Sequence, residues 1–122
     1  MRNTVPFADK RKKVMTVKSK IWIEIQGLPF FGEGRRDLLK SIEEKGSLSQ
    51  AAKQVGVSYK KAWSYIRSME DRLGIKLVKK QVGGKGGGGA VLTGEGKILI
   101  DKFDRLLAGT QETINRSFRD IF

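Results

Sequence analysis

Apolar residues recur at helical spacing through residues 46–67, GSLSQAAKQVGVSYKKAWSYIR, and the rest of the chain is arranged around that stretch. Ala51, Ala52 and Val55 mark the buried side of a short helix and are small enough for close helix contact. Ser47 stands at its N-cap, with Gln50 at the capping-box position three residues on. Gly56 ends it, because glycine enters the left-handed region without a steric cost, and Val57 plugs the turn into the core. Ser58 then caps a second helix. In it Ala62, Ile66, Met69 and Leu73 fall at i, i+4, i+7 and i+11, within one narrow buried arc. The opposite side carries Lys60, Ser64 and Arg67, flanked by Lys61 and Trp63. Two short helices, a tight turn and a basic outer face predict a helix-turn-helix.

The pattern elsewhere predicts what surrounds this pair. Val14–Ile25 reads as a strand: Ile21, Ile23 and Ile25 alternate with Trp22 and Glu24, after an earlier Val14, Thr16, Lys18 pattern. Trp22 is read as core or sheet-face packing, with exposure at an interface as the alternative. Gly27, Leu28 and Pro29 mark a turn, and a short hairpin follows that puts Phe30 or Phe31 on the core; Gly32 and Gly34 end regular structure. Arg35–Lys45 is a bracing helix with Leu38, Leu39 and Ile42 as its stripe, stopped by Gly46. Gly74 stops the second helix of the pair. Ile75, Leu77 and Val78 open a strand that Lys79, Lys80 and Gln81 continue, residues 83–89 form a glycine loop, and residues 90–93 return. A strand, glycine loop and strand following the second helix make a wing. Thr93 caps a final helix from Gly94 to about Phe118, whose stripe is Leu99, Phe103, Leu106, Thr110, Ile114 and Phe118. A domain this small leaves much of that stripe uncovered, so it is read as a dimerisation surface, with its N-terminal half free to pack on the domain's own sheet.

The expected fold is therefore mainly α with small β: a winged helix-turn-helix with an N-terminal strand or hairpin and a long C-terminal dimerisation helix. Residues 1–13 form a basic arm, 14–93 the winged domain and 94–122 the dimerisation helix. The arm is either a disordered end without a role or a contact to DNA phosphates.

Composition narrows the partner. Lys and Arg number 25 against 13 Asp and Glu, a net charge of +12 that attracts polyanions, nucleic acid first and anionic membrane second. The excess sits in residues 1–20 and 57–92, whereas residues 93–122 hold five basic and five acidic groups. The chain contains no Cys and no His, which removes Cys/His zinc sites, thiol nucleophiles and His-based triads. It has no apolar run of membrane-spanning length and no secretory-type leader, so a cytoplasmic location is expected, with no membrane partner. An enzyme is the remotest reading, and neither metal nor cofactor is expected.

The glycine loop bears on nucleotide chemistry and on DNA. Residues 84–89 match G-x-G-x-x-G, but a dinucleotide loop opens a helix and this one opens a strand. Lys85 is followed by Gly86, not by the Ser or Thr that a Walker-type loop needs. Bare glycine amides at a wing tip suit close approach to phosphates instead. The candidate DNA contacts are Lys60, Lys61, Ser64 and Arg67 in the major groove, with Ser58, Tyr59 and Trp63 at its edge or supporting the helix. Ser47, Ser49 and Gln50 would hold a phosphate at the start of the first helix, and Lys79, Lys80 and Lys85 would grip the backbone from the wing. Tyr65 and Met69 are read as structural.

GSLSQAAKQVGVSYKKAWSYI followed by GGKGGGGAVLT resembles the N-terminal DNA-binding domain of ModE-type molybdate-responsive regulators, itself related to the winged helix domain of LysR-type regulators. The resemblance covers about Lys20 to Phe103, and SYKKAW with the glycine wing carries its specificity. It implies a dimeric transcription factor on a palindromic operator, with Ser58–Arg67 as recognition helix and Lys79–Ala90 as wing. Such regulators typically carry a C-terminal molybdate-binding region, whereas this sequence stops at Phe122, so molybdate or tungstate binding is not expected of this chain alone. Two rival readings are a non-specific architectural DNA binder and a winged-helix protein-interaction adaptor.

Overall fold

The computed structural model describes residues 14–81 and 89–122. The basic arm at residues 1–13 and the wing tip with Lys85 lie outside the described residues. The order of elements is β1 (Trp22–Ile25), β2 (Leu28–Gly32), α1 (Glu33–Lys45), α2 (Leu48–Val55), α3 (Tyr59–Leu73), β3 (Val78–Gln81), β4 (Gly89–Leu92) and α4 (Gly94–Ile121). The described chain divides into two compact units, Ile21–Phe103 and a second that groups Asp104–Phe122 with residues 14–20.

β1 and β2 pair antiparallel through a two-residue turn, Gln26 (φ 53°) and Gly27 (φ 79°), the paired positive φ values of a type I′ hairpin. The turn therefore sits one residue earlier than Gly27–Pro29, and Leu28 and Pro29 belong to β2. The predicted strand from Val14 also shortens to four residues. β2 pairs only as far as Trp22↔Gly32 before the chain enters α1, which leaves the upstream residues no partner in that ladder. A bulge opposite Ile23/Glu24 leaves Phe30 without a direct partner. Neighbouring strand residues normally face opposite sides, and the bulge lets both Phe30 and Phe31 turn inward. Trp22 faces outward instead: it is 51% exposed, and its Nε1–H donates to Glu24 Oε2 at 2.9 Å.

α1 begins two residues earlier than the glycines suggest, with Gly32 as N-cap and Gly34 inside its first turn. Arg35 ties three elements together. Its Nη1 donates to the Phe30 carbonyl at 2.9 Å and its guanidinium lies 5.0 Å over the Tyr65 ring. Burial lowers the Arg35 pKa from its ordinary value, Tyr65 opposes that fall and the nearby Arg72 charge adds to it.

The helix-turn-helix forms as its capping residues dictate. Ser47 Oγ accepts the Gln50 N–H at 3.2 Å, and Ser58 Oγ accepts the Lys61 N–H at 3.0 Å. Gly56 (φ 80°) and Gly74 (φ 71°) close α2 and α3 in the left-handed conformation. The core gathers Leu38, Leu39 and Ile42 of α1, Leu48, Ala51 and Ala52 of α2, Ala62, Ile66 and Met69 of α3, and Phe30 and Phe31 of β2. Phe31 meets Phe103 of α4 edge-on, with ring centroids 5.0 Å apart.

β3 and β4 pair from Val78↔Leu92 to Gln81↔Gly89, which is the stem of the predicted wing. Ile75 stays outside the strand because β4 ends at Leu92; only the Thr93 N–H, donated to the Leu77 carbonyl at 2.9 Å, extends the ladder. The return strand is tied to the start of the helix-turn-helix by the Ala90 N–H, which donates to the Gly46 carbonyl at 3.1 Å.

α4 buries Gly96, Ile100 and Phe103 in the first unit. Phe103, at 1% exposure, is thus a core residue rather than part of a free dimerisation stripe, and Leu99 is half-buried. The reason is the phase of the helix: Gly96, Ile100 and Phe103 form the i, i+4, i+7 row that faces the wing stem and Phe31. Within the second unit, Leu106 is exposed while Thr110, Ile114 and Phe118 are half-buried. There Ser19 Oγ donates to Gln111 Oε1 at 3.4 Å.

Two α4 glycines behave oppositely. A Cβ at Gly96 would stand 2.5 Å from the Leu77 carbonyl oxygen, whereas one at Gly109 meets nothing within 4 Å. Gly96→Ala is expected to destabilise the chain by about 1–3 kcal/mol through overpacking against backbone. Gly109→Ala should instead stabilise it by up to about 1 kcal/mol through helix propensity. Chemical denaturation followed by circular dichroism measures both, and equal effects would contradict this packing of α4.

Candidate nucleic-acid interface

One face of α3 is left for a partner once Ala62, Ile66 and Met69 are buried. On it Lys60, Ser64 and Arg67 are exposed and Tyr59 is 49% exposed. Tyr59, Lys60, Trp63, Ser64 and Arg67 line one open depression, together with Ser68, Asp71 and Arg72, which the sequence reading left out. Their spacing of three and four residues puts them on adjoining turns of one helix side. Ser68, Asp71 and Arg72 continue the i, i+4 rows from Ser64 and Arg67, a signal already present in the sequence.

Trp63 is the hub of this face. Its half-buried indole has the Arg67 guanidinium 5.6 Å from its centroid and the Lys80 ammonium 4.8 Å away. The Tyr59 ring meets it edge-on at 6.5 Å. Each cation–aromatic contact at such a site is worth about 0.5–1 kcal/mol. Their larger consequence is geometric, since a lysine from the wing and an arginine from α3 are gathered on one ring.

The strand pleat separates the two wing lysines. Successive side chains on β3 point to opposite faces, so with Lys80 turned to Trp63, Lys79 projects to the other side of the hairpin. Lys61 is exposed on α3 outside the depression, and its backbone N–H is held by the Ser58 cap. Ser49 and Gln50 are exposed on the first turn of α2, where Ser47 serves as the cap. Lys85 lies outside the described residues.

Glu70 is the buried charge that the helical pattern did not single out. It lies on the edge of the apolar arc of α3, and its Oε2 accepts the N–H groups of Leu77 at 2.8 Å and Val78 at 3.2 Å. Among the described residues no group of three or more His, Cys, Asp or Glu is placed to hold a metal ion.

The chain has known relatives. Over 98 residues, 80% of this chain, the sequence is 44% identical to the DNA-binding transcriptional dual regulator ModE of Escherichia coli K12. Over 84 residues, 69% of this chain, it is 42% identical to the molybdenum-pterin-binding protein MopB of Rhodobacter capsulatus. The chain spans only 37% of the length of the first and 31% of the second. In three dimensions it resembles the CbnR DNA-binding domain solved in a CbnR_DBD-DNA complex, with a TM-score of 0.54, 23% identity, and coverage of 70% of this chain and 93% of that one. This last likeness shows the winged helix-turn-helix fold. Residues 37–97 match the family described as "Bacterial regulatory helix-turn-helix protein, lysR family", and with half of its length in that match the chain belongs to that family.

Proposed function

We propose that this chain is a sequence-specific DNA-binding transcriptional regulator of the ModE type, acting as a homodimer on a palindromic operator in the cytoplasm. The observation that carries the reading is the α3 face, where Lys60, Ser64 and Arg67 surround a Trp63 that also receives Lys80 from the wing. A helix enters the major groove, where base edges present distinct donor and acceptor patterns, and Lys and Arg are suited to guanine. The ModE relative named as a DNA-binding regulator and the DNA-bound fold neighbour support DNA as the partner of this chain. Backbone contacts from Lys79 and Lys80 then fix the register of α3 on the duplex.

The dimer reading rests on the second half of α4. Leu106, Thr110, Ile114 and Phe118 continue at helical spacing beyond the core, and a second copy of the same helix is the occupant that gives a two-fold contact. Two recognition helices related by such an axis would read half-sites about 34–36 Å apart, one turn of DNA. DNA binding by these residues needs neither molybdate nor tungstate in this reading.

Replacing Lys60, Lys61, Ser64 and Arg67 together by Ala should abolish discrimination between selected and random duplexes while circular dichroism stays that of the folded chain. Retained discrimination would remove α3 from the groove. Lys80→Ala should lower the magnitude of the log–log salt slope of DNA affinity by about 1.

Selection from random duplex DNA should enrich a palindrome, and enrichment of none would make the chain an architectural binder. Ile114→Glu should shift sedimentation from dimer to monomer and weaken binding to the selected palindrome; an unchanged dimer would exclude this face of α4 from the contact.

A further inference from the structure

The wing leaves α3 through a short link, Gly74–Leu77, so strand pairing inside the hairpin does not by itself fix how the hairpin stands on the helix. The structure supplies two points of attachment. The first is Glu70, 8% exposed on the last turn of α3. Its Oε2 accepts the N–H groups of Leu77 at 2.8 Å and Val78 at 3.2 Å, and Oε1 lies 3.5 Å from the Lys76 Nζ. Two of the same three residues are also held by Thr93, whose N–H donates to the Leu77 carbonyl at 2.9 Å and whose Oγ1 donates to the Lys76 carbonyl at 2.7 Å.

The second attachment is Lys80 on Trp63, with 4.8 Å between the ammonium and the ring centroid. Trp63 and Glu70 are seven residues apart, two turns along the same side of α3. Lys80 follows Val78 by two residues, on the same face of β3. The strand thus runs back along the helix from Glu70 to Trp63, and the first attachment sets the height at which Lys80 meets the indole.

We propose that Glu70 is a positioning residue for DNA binding: its carboxylate, holding the Leu77 and Val78 N–H groups, fixes the wing on α3 so that Lys80 is seated on Trp63 and helix and wing meet DNA as one unit. This rests on the reading of α3 and the wing as the DNA-binding surface. A carboxylate held among apolar side chains is unfavourable unless its oxygens are used, and here they are used on the two amides that open the wing. The groups facing it are the Lys76 ammonium and the amides of Leu77 and Val78.

The test uses the full chain with Trp22→Phe, which leaves Trp63 as the reporting indole. Glu70→Ala, Glu70→Gln, Lys80→Ala and the Glu70→Ala/Lys80→Ala pair are titrated against a labelled duplex of about 30 base pairs, long enough for two half-sites, drawn from the pool that the unsubstituted chain selects. Acrylamide quenching of Trp63 is read in the free protein.

If Glu70 positions Lys80, Glu70→Ala changes Trp63 quenching as Lys80→Ala does and weakens binding by a similar factor, on the order of three- to tenfold. The pair is then no weaker than the worse single variant. Glu70→Gln, whose amide oxygen can accept the same two N–H groups, keeps the unsubstituted behaviour.

Glu70→Ala that leaves Trp63 quenching unchanged, or losses that multiply in the pair, overturns the positioning role while leaving the interface in place. If Lys80→Ala alone costs no affinity, Lys80 is not part of the interface and the proposal falls, while the reading of α3 as the groove-contacting helix rests on its own fourfold Ala variant. Should Glu70→Ala not fold, Glu70→Asp, one methylene too short to reach both amides, is read by the same criteria.

Discussion

Residues 76–78 are where the winged domain is held together. Leu77 donates its N–H to Glu70 of α3 and accepts the Thr93 N–H at the entry to α4, and α4 approaches so closely that only glycine fits at position 96. Every one of these contacts is to backbone, so none can be reproduced by exchanging one apolar side chain for another. Three elements, α3, the wing stem and the long helix α4, are brought to one short segment. The return strand adds a fourth through the Ala90 N–H on the Gly46 carbonyl, next to the Ser47 cap of α2. Moving the wing stem therefore disturbs the start of the helix-turn-helix as well as its end.

That arrangement gives the candidate interface its character. A recognition helix alone offers a row of side chains, and a wing alone offers charge near the backbone. Here the two share Trp63, with Arg67 from one element and Lys80 from the other on a single ring. Long flexible cations lose rotamer freedom when they grip any partner, and an aromatic platform that already restrains them reduces that loss. Lys79 does not share that ring, because the pleat sends it to the opposite side of the hairpin.

Much of the helical architecture was legible from local chemistry. Ser47, Gly56, Ser58 and Gly74 each act within one turn of their own position, through a hydroxyl that accepts a nearby amide or a backbone that enters the left-handed region. Such signals survive without knowledge of the fold. The buried arc of α3 and the wing strands followed from periodicity in the same way. What failed were readings that depended on a partner. Val14–Ile21 alternates like a strand but faces no strand in the β1–β2 ladder. Phe30 and Phe31 looked like alternatives, and a bulge seats both. Phe103 looked like the start of an exposed stripe and is closed over by Phe31, a residue seventy-two positions away (103 − 31). Trp22, read as packed, has the short β1–β2 hairpin beneath it and keeps half its surface in water.

The sequence by itself determined the helix-turn-helix, the two strands of the wing stem and the basic side of α3, because capping, periodicity and charge are properties of neighbouring residues. Only the tertiary structure decided which cations act together, why an acid lies buried beside Met69, and why position 96 must be glycine. Those outcomes depend on how separate elements are laid against one another. A hydrogen bond from Leu77 to Glu70 or an ammonium over Trp63 exists only after α3 and β3 have been laid side by side.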